Sequence, residues 1–254
     1  MKRGAWILIG LAMLWVTANL PAGLIRFFID EQQLTVVAPK GTLWAGSATL
    51  VSHLGLQGQI EWQASLFQSA NPQPGLDLRI TDNASDLRAR AQINFSTAQV
   101  AVSGTLAASS LQPLLERYDL FLTGHFTLSD SLWTLQSDGF RAEIPATLRW
   151  SGGPVRYILA NTLYTATMPP LDAQISSIEP GQLNAAVFFA EGASGDSSPV
   201  PSDPPLLLMR LMQPGSVYIG VSRGLLRAAN FPWQGNEDEG DLIFEIERSL
   251  ATYR

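Results

Sequence analysis

Leu56-Gln57-Gly58-Gln59-Ile60-Glu61-Trp62-Gln63-Ala64 is the stretch that decides the fold. Leu56, Gly58, Ile60, Trp62 and Ala64 occupy every second position, with Gln57, Gln59, Glu61 and Gln63 between them. Successive side chains of a strand point to opposite faces, so this period of two gives one dry face and one wet face. A helix would need apolar residues three and four apart, and they are not spaced that way here.

The same alternation continues outward. Leu76-Leu78-Ile80 faces away from Asp77 and Arg79, and Leu87-Ala89-Ala91-Ile93-Phe95 faces away from Arg88, Arg90, Gln92 and Asn94. Val100-Val102-Leu106, Leu122-Phe126-Leu128 and Phe140-Ala142-Ile144-Ala146-Leu148-Trp150 follow. Val155-Tyr157-Leu159, Leu183-Ala185-Val187-Phe189, Val217-Ile219-Val221 and Leu242-Phe244-Ile246 complete the set. Strands with one dry and one wet face belong to antiparallel sheets. Glycines recur inside them, at Gly46, Gly58, Gly104 and Gly124, where bulges and bends are expected. The sequence therefore predicts a mainly β domain built on a curved antiparallel sheet.

Helical signals are few. Ser110 reads as an N-cap for Leu111–Tyr118, whose Leu111, Leu114, Leu115 and Tyr118 would pack on a sheet. Arg223–Ala229 reads as a second short helix, and Pro204–Gln213 is ambiguous. Glu191–Pro205 is rich in Ser, Pro, Gly and Asp and reads as an exposed loop.

Ahead of the sheet lies an uncharged stretch from Gly4 to Ile25, preceded by Lys2 and Arg3. As a helix it would cover roughly 33 Å, close to the bilayer's hydrocarbon thickness. Positive flanks stay on the cytoplasmic side, so the chain from Arg26 onward is expected in the exported compartment. A cleaved signal peptide ending at Val16-Thr17-Ala18 is the competing reading. Trp15 near the cut, and the apolar character beyond Ala18, favour the uncleaved anchor. The expected organisation is a cytoplasmic start and transmembrane anchor over 1–29, then a β-rich domain over 30–254 with its loop at 191–205.

The chain has 254 residues, no cysteine, two histidines and a net charge of −6. Thiolate chemistry and cysteine zinc sites are excluded, and a multi-histidine metal centre is nearly so. The acidic balance argues against nucleic acid as a partner. Gly220-Val221-Ser222-Arg223-Gly224 has the form of a hydrolase nucleophile elbow, but that mechanism needs a histidine after the serine. His53 and His125 both precede Ser222, so the motif reads as a strand ending in a turn. Glu237-Asp238-Glu239, Asp241, Glu245 and Glu247 supply the hard oxygens a divalent cation prefers. Gly235 and Gly240 beside them favour a solvated loop. Gly152-Gly153-Pro154 lacks the lysine and helix of a phosphate loop. No catalytic, cofactor-binding or metal residue is assigned.

Two other segments carry more information. Gly41-Thr42-Leu43-Trp44-Ala45-Gly46 lies shortly after the apolar stretch. Phe231-Pro232-Trp233 and Gly235 precede an acidic run and the strand Leu242–Glu247. Together they resemble the type II secretion system protein N family, which has a Gly-Thr-Leu-Trp-x-Gly segment after a single membrane helix and an aromatic-Pro-Trp turn near its end. The specific matches are Gly41, Thr42, Leu43, Trp44, Gly46, Pro232 and Trp233; the middle of the chain matches only in β-rich character. The loop at 191–205 is longer than the family leads one to expect.

The resemblance implies a non-catalytic, cofactor-free component of the type II secretion machine. It would be held in the inner membrane, face the periplasm and contact other secretion subunits. The β-rich body is also similar to envelope proteins of the AsmA type. This supports a rival reading, in which an apolar concave sheet face binds or transfers lipid.

Overall fold

The computed structural model describes residues 19–24, 34–52, 55–65, 74–94, 96–136, 139–159, 161–177, 179–190, 204–212 and 215–249. Seventeen strands dominate it. The first six are β1 (Leu34–Gly41), β2 (Ala45–Ser52), β3 (Gln57–Ser65), β4 (Gly75–Thr81), β5 (Asp86–Ile93) and β6 (Ala98–Ala107). The middle group is β7 (Leu120–Leu122), β8 (His125–Gln136), β9 (Gly139–Ile144), β10 (Ala146–Trp150), β11 (Gly153–Leu159) and β12 (Thr162–Met168). The last five are β13 (Leu171–Ser176), β14 (Gln182–Phe189), β15 (Leu207–Met212), β16 (Ser216–Ser222) and β17 (Leu242–Ser249).

One large antiparallel sheet runs β1-β2-β3-β4-β5-β6-β8-β10-β13-β14-β15-β16-β17, with β9 beside β8. A small sheet, β12-β11-β7, stands apart from it. The expected antiparallel, mainly β architecture is therefore present. Register aligns the dry faces across the whole sheet. One row runs Ile60–Ile80–Leu87–Gly104–Leu128–Leu148–Ala173–Val187–Leu207–Val221–Phe244. A one-residue slip at any pairing would send half of this row to the wet face, so the shared burial fixes the register. Register shifts interrupt the β1–β2 pairing between Val37 and Lys40, β6–β8 between Val102 and Gly104, β8–β9 between Leu132 and Trp133, and β16–β17 between Val221 and Ser222. Such bulges bend a strand and increase its local twist.

Two clusters pack on the dry face. Ala22, Val36, Ala48 and Trp62 form the first, with Leu50, Ile60, Leu76 and Leu78 around them. The second joins the two sheets: Trp150 from β10 meets Val155 and Met168 from the small sheet, with Phe126, Tyr157 and Leu171 alongside. Helix α2 (Arg223–Ala228) contributes Leu225 and Ala228 to this cluster. The Tyr157 hydroxyl donates to the Ala229 carbonyl at 3.1 Å and ties the small sheet to the end of that helix.

Several local expectations change. The alternating series Phe140–Trp150 is two strands, because Pro145 has no N–H to give the ladder. Leu122 and Phe126 lie in different sheets, on β7 and β8. The helix expected over Leu111–Tyr118 is only α1 (Gln112–Leu115), with 3-10 turns at Ala108–Leu111 and Glu116–Tyr118. Ser110 does not cap it; its hydroxyl pairs with that of Ser85 at 2.9 Å, and Tyr118 is 75% exposed. The ambiguous Pro204–Gln213 contains β15.

Most of the stretch expected to form a membrane helix falls outside the described residues, as do Phe95, His53 and 191–203 of the loop. Among the described residues no helix is long and apolar enough to cross a membrane. The apolar stretch is not helical to its end. Asn19 is in a turn, 22–24 form a 3-10 turn, and Ala22 is 2% exposed against the sheet. The expected continuous helix from Gly4 to Ile25 is thus corrected over its last described part: Leu20 and Pro21 pair with the sheet domain instead.

Candidate functional site

The Gly41–Gly46 signature is the turn from β1 to β2. Gly41 has φ +89°, and a Cβ there would sit 2.5 Å from the Ala45 carbonyl oxygen, so only glycine fits. Thr42 closes the turn on itself. Its N–H donates to the Ala45 carbonyl at 2.8 Å, and its Oγ1 accepts from the Ala45 N–H at 3.1 Å. The backbone N–H of Leu43 donates to the Leu20 carbonyl at 2.8 Å, and Pro21 bridges Thr42. The half-buried Trp44 offers its carbonyl to Ala64 N–H on β3.

Gly46 stands directly opposite Trp62. A Cβ on Gly46 would lie 2.5 Å from the indole Cζ2 and would also collide with the Lys40 carbonyl. The missing side chain lets the indole lie across β2, where Trp62 is 4% exposed. Its Nε1 donates to the Thr42 carbonyl at 3.2 Å. The signature is therefore a clasp. It holds the segment Asn19–Leu24, the last described part of the apolar N-terminal stretch, against the first strands of the sheet. Trp62 completes the clasp although it lies outside the motif; its in-phase burial within Leu56–Ala64 was the available signal.

The C-terminal motif sits at the far end of the sheet. Phe231 and Trp233 pack edge-on against Phe244 of β17, with ring centroids 5.8 and 5.7 Å apart. Trp233 remains 40% exposed, and Pro232 is exposed beside it. The indole Nε1 of Trp233 donates to Glu237 at 2.9 Å, and that bond holds the Glu237 carboxyl below its ordinary pKa. The two motifs are not brought together, since β1 and β17 are the two ends of the sheet order.

Ser222 is fully buried. Its Oγ caps α2 by accepting from Leu225 N–H at 3.4 Å, and its own N–H donates to Leu206. His125 is exposed at the start of β8. In the acidic run Asp241 accepts from Asp238 N–H, and Glu239 pairs with Arg227. Among the described residues no group of three His, Asp or Glu is gathered for a metal ion.

The wet face of β2–β6 borders a cavity of about 910 Å³ lined by Lys40, Glu61, Asp77, Arg79, Arg88 and Arg90 among others. Asp86 accepts from Arg79 at 2.9 and 2.8 Å and from Arg88 at 3.0 Å. Those two guanidiniums hold its carboxyl well below the usual Asp range. Arg90 reaches Asp77 at 2.5 Å. Trp62, Leu78 and Ala89 line the same hollow, so it mixes charged and apolar surface.

These features define a class: a wide, open antiparallel sheet protein whose N-terminal segment is clasped to its first hairpin. The sequence model of the family described as type II secretion system protein N matches residues 32–193, and the chain belongs to that family. The match contains the Gly41–Gly46 clasp; the Phe231–Trp233 motif lies beyond it. No curated protein and no solved structure matched the chain.

Proposed function

We propose that this chain is a non-catalytic component of the type II secretion system, anchored in the inner membrane with its sheet domain in the periplasm. The family match over residues 32–193 carries the reading. The physical support is that the family's own residues do structural work. Gly41, Thr42 and Gly46 shape a turn that fixes the C-terminal end of the apolar stretch to the sheet, which is how a membrane-tethered domain would be held at a defined height and orientation. Tethering raises its effective concentration near other membrane-bound subunits. Ser222, the one residue in a catalytic-looking motif, is engaged in capping a helix.

The rival reading, a lipid-handling envelope protein, has one observation in its favour. The dry face runs unbroken across the sheet, and Ile80, Met209, Phe244 and Ile246 on it are 37–50% exposed. Native mass spectrometry of the detergent-extracted protein, paired with crosslinking in membranes, separates the two. Crosslinks to secretion subunits without retained lipid support the proposal. Lipid retained in stoichiometric amount without such crosslinks supports the rival.

A further inference from the structure

The two edges of the large sheet are not equivalent. At β1 the ladder is broken by the register shift between Val37 and Lys40, Ala38 has φ +50°, and Pro39 has no N–H to offer. A bulge and a proline are the usual devices that stop an edge from recruiting another strand. At the opposite edge the β16–β17 ladder has one register shift at the very start of β17, beside Leu242; from Phe244 to Ser249 it is regular, and β17 contains no proline and has no partner strand on its outer side among the described residues. Its residues from Phe244 to Ser249 are all exposed.

Side chains at this edge alternate sharply. Phe244 and Ile246 lie on the dry face, and Phe231 and Trp233 extend the apolar surface through their ring contacts with Phe244. Glu245 and Glu247 lie on the wet face; Tyr218 donates its hydroxyl to Glu245 at 2.8 Å. A tryptophan left exposed, as Trp233 is, belongs to the side chains that contribute most where a partner docks. An extended segment aligned along β17 would gain main-chain hydrogen bonds, place aliphatic residues on the aromatic cluster, and meet two carboxylates on its other face.

We infer that the outer edge of β17 is a β-addition site for an extended segment of another protein, one that alternates basic and aliphatic residues. The inference goes beyond the secretion role and depends only on the strand edge, the aromatic cluster and the charge pattern. It also gives the Phe231-Pro232-Trp233 motif a purpose that the N-terminal clasp does not need.

The test uses the full chain in detergent and an eight-residue synthetic peptide alternating Lys and Val. Hydrogen–deuterium exchange is followed by mass spectrometry. At a peptide concentration ten times its Kd, exchange over 242–249 should slow by about tenfold while 34–41 is unchanged. A peptide alternating Glu and Val should have no effect. The double variant Glu245→Lys/Glu247→Lys should reverse the preference, and Trp233→Ala should weaken the Lys peptide at least tenfold. Far-UV circular dichroism checks that both variants stay folded. No slowing over 242–249, or equal slowing at 34–41, overturns the assignment. So does slowing that appears with rising protein concentration and no peptide, which would make a second copy of this chain the occupant.

Discussion

Trp62→Ala tests the clasp. A buried tryptophan removes roughly 150–250 Å² from water, worth about 4–6 kcal/mol at about 25 cal/mol per Å². Alanine keeps a small part of that area, and truncations of this kind are found at about 3–5 kcal/mol. Losing the Nε1 bond to the Thr42 carbonyl contributes about 1 kcal/mol of the total. The expected loss is therefore about 4 kcal/mol, measured by urea unfolding followed by far-UV circular dichroism. Glu61→Ala, one residue away on the wet face, should cost about 0.5 kcal/mol or less. Gly46→Ala should cost about 1–3 kcal/mol by overpacking. It should cost less in the Trp62→Ala background, because the indole it strikes is gone, though the Lys40 carbonyl still resists the new Cβ. Equal losses at Glu61 and Trp62 would refute the strand phase. Additive losses at Gly46 and Trp62 would refute the clasp.

Three further outcomes are expected. The carboxyl of Asp86 titrates below its unfolded value because Arg79 and Arg88 bind its charged form, so its contribution to stability is present above the ordinary Asp value of 3.8 and is lost as pH falls through the depressed folded one. The stability gap between wild type and Asp86→Asn should accordingly be open at neutral pH and close in acid; a gap that widens below pH 3.8 contradicts the pairing. Ser222→Ala should cost about 1 kcal/mol in thermal or urea unfolding, as loss of a helix cap does, and a neutral result would remove the capping role. A reporter active only in the periplasm, fused after Arg254, should be active if Lys2 and Arg3 keep the N-terminus inside, and cytoplasmic readout would overturn the proposed topology.

Much of the large sheet was legible because its dry face is dry over many strands. Alternation at Leu56–Ala64, Leu76–Ile80 and Leu87–Ile93 places the same residues on one face that register later aligns. Strand β1 was hidden because Pro39 and the bulge at Ala38 break its alternation, and β12 because Thr162–Met168 carries small and polar residues on both faces. Whether Leu122 and Phe126 share a sheet was not readable, since period two says which face a residue takes but not which strand it pairs with. The helix at Leu111–Tyr118 was overextended because helical spacing of leucines outweighed Pro113 and the poor capping around it. Of the candidate site, the motif residues were visible in sequence, but their task was not. Trp62 covers Gly46 only because β2 and β3 pair in one particular register, and that pairing is a tertiary fact.

Export of secreted enzymes into the medium, from a strain lacking this chain and supplied with variants of it, tests the central claim most directly. The strain without the chain should export poorly, and the wild type should restore export. A variant combining His53→Ala, His125→Ala and Ser222→Ala should restore it equally at matched protein level, because no side-chain chemistry is required. Leu11→Asp with Leu14→Asp should not, since each charge at mid-bilayer opposes insertion by about 2.5–3.5 kcal/mol. Normal export without the chain, or failure of the triple variant at wild-type abundance, would contradict a non-catalytic secretion component.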